Sequence, residues 1–145
     1  MNIFYLDKHP KVAAQMSCDK HVCKMIVESA QMLSTAHRIL DGTEYYDKTK
    51  NGRKIKRWKH PNSNIEKILY KASHVNHPST KWVMESAFNY RWLYLHMIAL
   101  NEEFKLRYGH TQDHKTIRLL GDILEHLPSN APVNKIGTEP TPAMP

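Results

Sequence analysis

Apolar residues return every third or fourth position between Asp19 and Leu40, at Val22, Met25, Ile26, Ala30, Leu33, Ala36 and Leu40. This spacing predicts a helix with one broad buried face. His21, Lys24, Glu28, Gln31 and Thr35 step along the opposite side as a polar stripe. Before it, Asn2 to Leu6 is short, apolar and aromatic, which predicts a strand or extended segment tucked into the core. A helix should begin at His9-Pro10 and run through Val12 to Met16.

The pattern breaks at Asp41-Gly42, and Asn51-Gly52 between Tyr45 and Trp58 is a hairpin signal, so this stretch should be a basic β-hairpin or an irregular loop. Ser63 and Glu66 have the spacing of a capping box ahead of Ile68, Leu69 and Ala72. A single helix is then expected from His77-Pro78 through Trp82, Trp92 and Leu100 to Tyr108, stopped by Gly109. A last amphipathic helix should span Thr111 to Leu127 with Ile117, Leu120 and Leu124 inward. His-Pro pairs at 9, 60 and 77 mark helix starts. The expected fold is therefore mostly α: a compact single-domain helical bundle over 1–127, with a short N-terminal extended segment and a possible small β-hairpin. The proline-rich tail at 128–145 should wrap the surface or stay disordered.

Charge adds the first functional hint. The net charge of +7 comes from one segment: Lys48, Lys50, Arg53, Lys54, Lys56, Arg57 and Lys59 lie between 48 and 60 with no acid, and the rest of the chain holds 14 basic and 14 acidic residues. A local patch of this kind suits phosphate contact, although it also suits a solvated loop. Tyr45, Tyr46 and Trp58 interleave with it, and stacking on such rings is worth about 1–3 kcal/mol per base. DNA or a nucleotide is thus the expected partner. Trp82, Tyr90, Trp92 and Tyr94 have the spacing of core aromatics.

Other chemistries find less support. No apolar run could span a bilayer and the start lacks a signal-peptide pattern, so a soluble, cytoplasmic protein without membrane contact is expected. Cys18 and Cys23 are spaced to point to different faces of a helix, which disfavours a disulfide and fits a reducing compartment. Cys18, His21 and Cys23 do not share one face, and Pro78 interrupts the His74 and His77 pair, so no metal and no cofactor is expected. Five glycines include no phosphate loop, and neither Ser17 nor Ser29 has a hydrolase setting. On the polar stripe, Glu28 stands between a cation and an imidazole, where it could act as a general base or steady an oxocarbenium ion; an ordinary solvated Lys24–Glu28 pair is the plain alternative.

Asp19-Lys20-His21 with Glu28 seven residues beyond the histidine resembles the first helix of the pyrimidine-dimer DNA glycosylase (endonuclease V) family of T-even phages. Bacterial relatives are similar in their N-terminal segment and in a His-Pro pair after a basic-aromatic stretch, here Arg57, Trp58, Lys59, His60 and Pro61. The whole chain also resembles an uncharacterised family of tailed-phage proteins carrying the Cys-Asp-Lys-His motif. The glycosylase resemblance implies Glu28 as the catalytic carboxylate, His21 as a DNA-contacting neighbour and the amine of Met1 as the possible nucleophile; His21 and Lys24 are expected to assist Glu28. An α-amine, with a pKa of about 7.7–8.0, is partly neutral at physiological pH, as this role requires. Lys20, Arg53, Lys54, Lys56, Arg57, Trp58 and His60 would hold the nucleic acid. The chain departs from the family in its bulky Asn2, which should preserve Met1, and in lacking the family's aromatic C-terminal segment. The leading expectation is a phage-type DNA or nucleotide N-glycosidase with a possible lyase step. The alternatives are a non-catalytic nucleic-acid or nucleotide-binding phage protein, which sequesters its ligand or inhibits a host factor, and a helical interaction protein with an incidental patch.

Overall fold

The computed structural model describes residue 3 and residues 5–138. Its chain order is α1 (Pro10–Met16), α2 (Asp19–Asp41), β1 (Thr43–Lys48), β2 (Lys54–Lys59), α3 (Ser63–Ile68), α4 (Pro78–Glu85), α5 (Ala87–Tyr108) and α6 (Lys115–Leu124). The architecture is mostly helical with one small antiparallel hairpin, as the periodicity implied. No helix among the described residues is long and apolar enough to cross a membrane.

Helix α2 is the axis. Its predicted apolar face is buried from Val22 to Ala36, but Ser29, Ser34, Thr35, His37 and Arg38 are buried as well. Of the polar stripe, Thr35 is buried, His21, Glu28 and Gln31 are half-buried and Lys24 is exposed; α5, α4 and α6 pack around α2, and its last turns lie under the hairpin. Tyr90, Trp92, Leu93, Met97 and Leu100 of α5 supply much of the facing core. Near the N-terminus Ile3 is buried and the Tyr5 ring lies 4.6 Å from that of Trp92, but Leu6 is exposed and the described residues there form no strand.

Three boundaries differ from the sequence reading. The helix expected from Pro78 to Tyr108 breaks at Ser86, whose backbone is extended and whose hydroxyl accepts the Asn89 amide N–H at 3.0 Å. Asn89 Nδ2 then donates to the Trp82 carbonyl at 2.9 Å, replacing the helical bond that the break removes. At α3 the cap is Asn62, which accepts from the amides of Asn64 and Ile65, so the Ser63–Glu66 capping box does not form and Glu66 is free to point elsewhere. The last helix is shorter than expected because His114 caps it, Nδ1 accepting the Thr116 N–H at 3.1 Å.

The hairpin turn is also more particular than its dipeptide. Gly52 has φ 76° whereas Asn51 does not enter the left-handed region; Gly52 N–H reaches Thr49 O, and Thr49 N–H reaches Arg53 O. A three-residue loop closed by a left-handed glycine results. Gly42, joining α2 to β1, serves a different need: a Cβ there would sit 2.8 Å from the Lys59 carbonyl oxygen and closer still to that of Arg38. Gly42→Ala is expected to cost about 1–3 kcal/mol, the usual range for overpacking, read as a lower urea midpoint with an unchanged slope.

The described part of the proline-rich tail wraps the body. Both Asp41 carboxylate oxygens accept backbone N–H groups, from Ser129 at 2.7 Å and Asn130 at 2.9 Å. Ala131 is buried, Ala87 N–H donates to Pro132 O, and Trp82 Nε1 donates to Thr138 O.

Candidate functional site

Strand pairing decides which hairpin residues share a face. Opposed pairs are Glu44 with Trp58, Tyr46 with Lys56, and Lys48 with Lys54, and all six side chains lie on one side of the ribbon. There Lys54 Nζ is 4.1 Å from the Tyr46 ring centroid, Lys56 Nζ is 5.7 Å from that of Trp58, and Lys56 also reaches Glu44 at 3.4 Å. Cations and aromatic faces thus alternate across an exposed surface on which Tyr46 is 58% accessible. Arg53 is exposed beside the turn.

Two residues expected in this patch lie elsewhere. Arg57 is half-buried on the opposite side, where Nη1 donates to Ala72 O at 3.3 Å, so it braces the ribbon against the body. His60 is 7% exposed and points into a cleft described below, which corrects its placement on the nucleic-acid surface. Lys20 is exposed, but it stands 18 residues before Arg38 on α2, about 27 Å from the hairpin end of that helix.

From Leu69 to His77 the chain runs back along α2. Arg38 holds the carbonyls of Leu69 and Tyr70, Thr35 Oγ1 accepts the Ser73 N–H at 3.1 Å, and His77 comes within electrostatic reach of Glu28. Between this segment, β2 and α4 lies a groove of about 630 Å³. Trp58 and Lys56 line its hairpin end, His74 and Asn76 its other wall, and Lys81 and Met84 its rim. His77 caps α4, with Nδ1 accepting the Ser79 N–H at 3.1 Å, and so presents Nε2–H. Burial, followed by nearby charge including His74, lowers its pKa.

Glu28 and His21 are half-buried and Lys24 is exposed, successive turns apart on one face of α2. Ile39, further along α2, lines the groove, 11 residues or about 16 Å beyond Glu28. The structure therefore brings Glu28, His21 and Lys24 together on α2, with Glu28 within electrostatic reach of His77 but none of the three on the lining of the groove. Met1, the expected nucleophile, lies outside the described residues.

A second cluster escaped the sequence reading. His37, Asp41 and His60 place their donor atoms within 4.8 Å of one another, on the wall of a cleft of about 770 Å³. His37 and Asp41 have an i, i+4 spacing that was legible in the sequence, but His60 returns to them only across the hairpin. The hydrogen bonds fix both rings. Tyr90 donates to Leu124 O at 2.7 Å and meets His37 Nε2, also at 2.7 Å, while a backbone group of His126 adds a further contact to the His37 ring. His60 Nδ1 accepts the Asn62 N–H at 3.1 Å, and Nε2 faces Asp41 Oδ2 at 4.0 Å. Burial lowers the His37 pKa to about 4 despite the opposing charge of Asp41, so its imidazole is neutral near pH 7.

Compared with family models, curated proteins and solved structures, the chain matches none of them.

Proposed function

We propose that the protein binds nucleic acid through the lysine–aromatic face of the hairpin, and that Glu28 is the carboxylate of an N-glycosidase acting on a base drawn into the adjoining groove. The observation that carries this reading is the groove beside the hairpin, lined by Trp58 and Lys56 at one end and by His74 on its other wall, with Glu28 outside the lining but within electrostatic reach of the neighbouring His77. A base unstacked from its neighbours would meet Trp58 and Lys56 first. Glu28 would then steady positive charge on the sugar as the bond to the base breaks, and the departing base would take up the proton given up by the attacking water or amine. Lys24 and His21, adjacent along α2, would assist it. Likeness to the pyrimidine-dimer glycosylases adds the amine of Met1 as nucleophile, attacking the anomeric carbon to give an imine after the base departs.

Borohydride trapping on ultraviolet-irradiated and abasic-site DNA tests this chemistry. A covalent adduct on irradiated DNA is expected with the wild-type chain and should vanish in Glu28→Gln and after blocking the N-terminus, with DNA binding retained in both. Binding without an adduct would remove the imine route. If Glu28→Gln then also left base release unchanged, the reading would fall to a binder without turnover. The distance along α2 between the hairpin end and Glu28 favours that second reading, since the hairpin surface is complete without the carboxylate.

A further inference from the structure

The cleft of about 770 Å³ lies apart from the hairpin groove, and its chemistry is the reverse of the chain's. Lysine and arginine supply 21 of 145 residues, yet among the described residues none lines it. Its wall carries Asp41 and Asp122 with the imidazoles of His37, His60 and His126. In a protein of net charge +7, such a wall would repel no cation and suits no anion.

We propose that His37, Asp41 and His60 form a binding site for one divalent transition-metal ion of the zinc class, with a further coordination position open to the cleft. The three donors are neutral nitrogens and a carboxylate, the set that zinc takes in sites that keep one position for water or a ligand. His37 and Asp41 are also oriented from behind. His37 Nε2 is held by Tyr90, whose hydroxyl is anchored on Leu124 O, and the ring also meets a backbone group of His126, a contact that a metal at Nδ1 would displace. Asp41 is held by Ser129 N–H and by the backbone and side-chain N–H groups of Asn130. Outer partners of this kind fix ligand orientation in metal sites.

The donor atoms, within 4.8 Å of one another, stand wider than in a filled tetrahedral site, where bonds of about 2.0–2.1 Å bring neighbouring donors to about 3.3 Å. Filling the site draws the side chains together by roughly 1–1.5 Å. It also moves the His60 proton from Nε2 to Nδ1 and releases the Asn62 N–H. That amide lies at an exposed residue, where water can take it. The carboxylate needs no such change, because an ionised oxygen accepting one N–H still has a lone pair for the metal.

The test uses the full chain, stripped with chelator and titrated with Co²⁺ as a spectroscopic stand-in for Zn²⁺. Visible ligand-field bands of four- or five-coordinate Co²⁺ are expected, saturating at one equivalent and abolished by Zn²⁺, with a rise in Tm on adding Zn²⁺. His60→Ala and Asp41→Asn should each weaken binding by about 100-fold or more, beyond what losing an outer partner usually costs. Asp41→Asn retains an oxygen for the tail amides, so it decides the matter should His60→Ala fail to fold by circular dichroism. The double variant His74→Ala, His77→Ala removes the other close imidazole pair and should titrate like wild type. Absence of saturable binding in the wild-type chain would overturn the proposal. So would a Co²⁺ titration unchanged by Asp41→Asn, or one lost only in the His74, His77 variant.

Discussion

An Arg38→Ala variant is expected to lose about 3–5 kcal/mol of stability, the range for breaking a buried ionic network by removing one partner. Arg38 is 4% exposed and sits at the crossing of three segments. Its guanidinium donates to the carbonyls of Trp58 in β2, Glu66 in α3, and Leu69 and Tyr70 in the returning segment, and it pairs with the Glu66 carboxylate. Alanine would leave these acceptors facing a void, each with its desolvation unopposed. Arg38→Lys should recover only part of the loss, because a single ammonium cannot satisfy a planar fork of acceptors. Urea unfolding of the three proteins measures the series, and equal midpoints would mean that water replaces the guanidinium at little cost.

The same network makes a pH prediction. Burial works to raise the Glu66 pKa, but the Arg38 hydrogen bond and the His60 backbone N–H outweigh it and hold it below its ordinary 4.5. A carboxylate with a depressed folded-state pKa contributes stability above its unfolded value and loses it as pH falls through the folded one. The stability gap between wild type and Arg38→Ala should therefore be full at neutral pH and narrow as Glu66 protonates in acid. A gap independent of pH down to the acid transition would assign the stability to the carbonyl contacts alone.

The second large effect concerns binding. Replacing Lys48, Lys54 and Lys56 with alanine should lower the slope of log K against log salt by about 2–3, since each phosphate contact contributes about 0.7–0.9. Lys48 and Lys54 face one another across the ribbon, and all three share the face of Tyr46 and Trp58. Tyr46→Ala should instead weaken single-strand binding by about 1–3 kcal/mol with the slope unchanged. Its ring is largely exposed, so the fold should tolerate its loss. Fluorescence anisotropy with a labelled oligonucleotide at several salt concentrations separates the two effects, and a triple variant with the wild-type slope would take the hairpin out of the interface.

Periodicity identified α2, the core aromatics of α5 and the stop at Gly109, because each depends on neighbours within a turn or two. The break at Ser86 was hidden for the opposite reason. A serine inside a helical pattern caps a new helix here only because Asn89 can bond back to Trp82, while Thr138 holds Asn89 from the tail. The basic segment was legible as a patch, but which of its members face outward depends on strand register, which turned Arg57 inward and opposed Lys56 to Tyr46. Thr35 looked like part of a solvated stripe, and it is buried because residues 69–77 lie over it. His37 read as one more residue of the main helix. Its meaning depends on Tyr90, 53 residues away, and on His60 beyond the hairpin.

The wrapping of the tail has a kinetic side. Helical proteins ordinarily close local contacts first and fold quickly. In this one, key bonds join the extremes of the chain: Asp41 to Ser129 across 88 residues, Trp92 to Lys8 across 84, and His96 to Pro10 across 86. Loop closure must precede these gains, so folding should be slower than the helix content implies. On the ribosome, α2 would emerge with the Asp41 carboxylate still open to solvent. It would wait until Ser129 and Asn130, 88 and 89 residues further on, arrive to satisfy it, so the cleft is completed long after its helix.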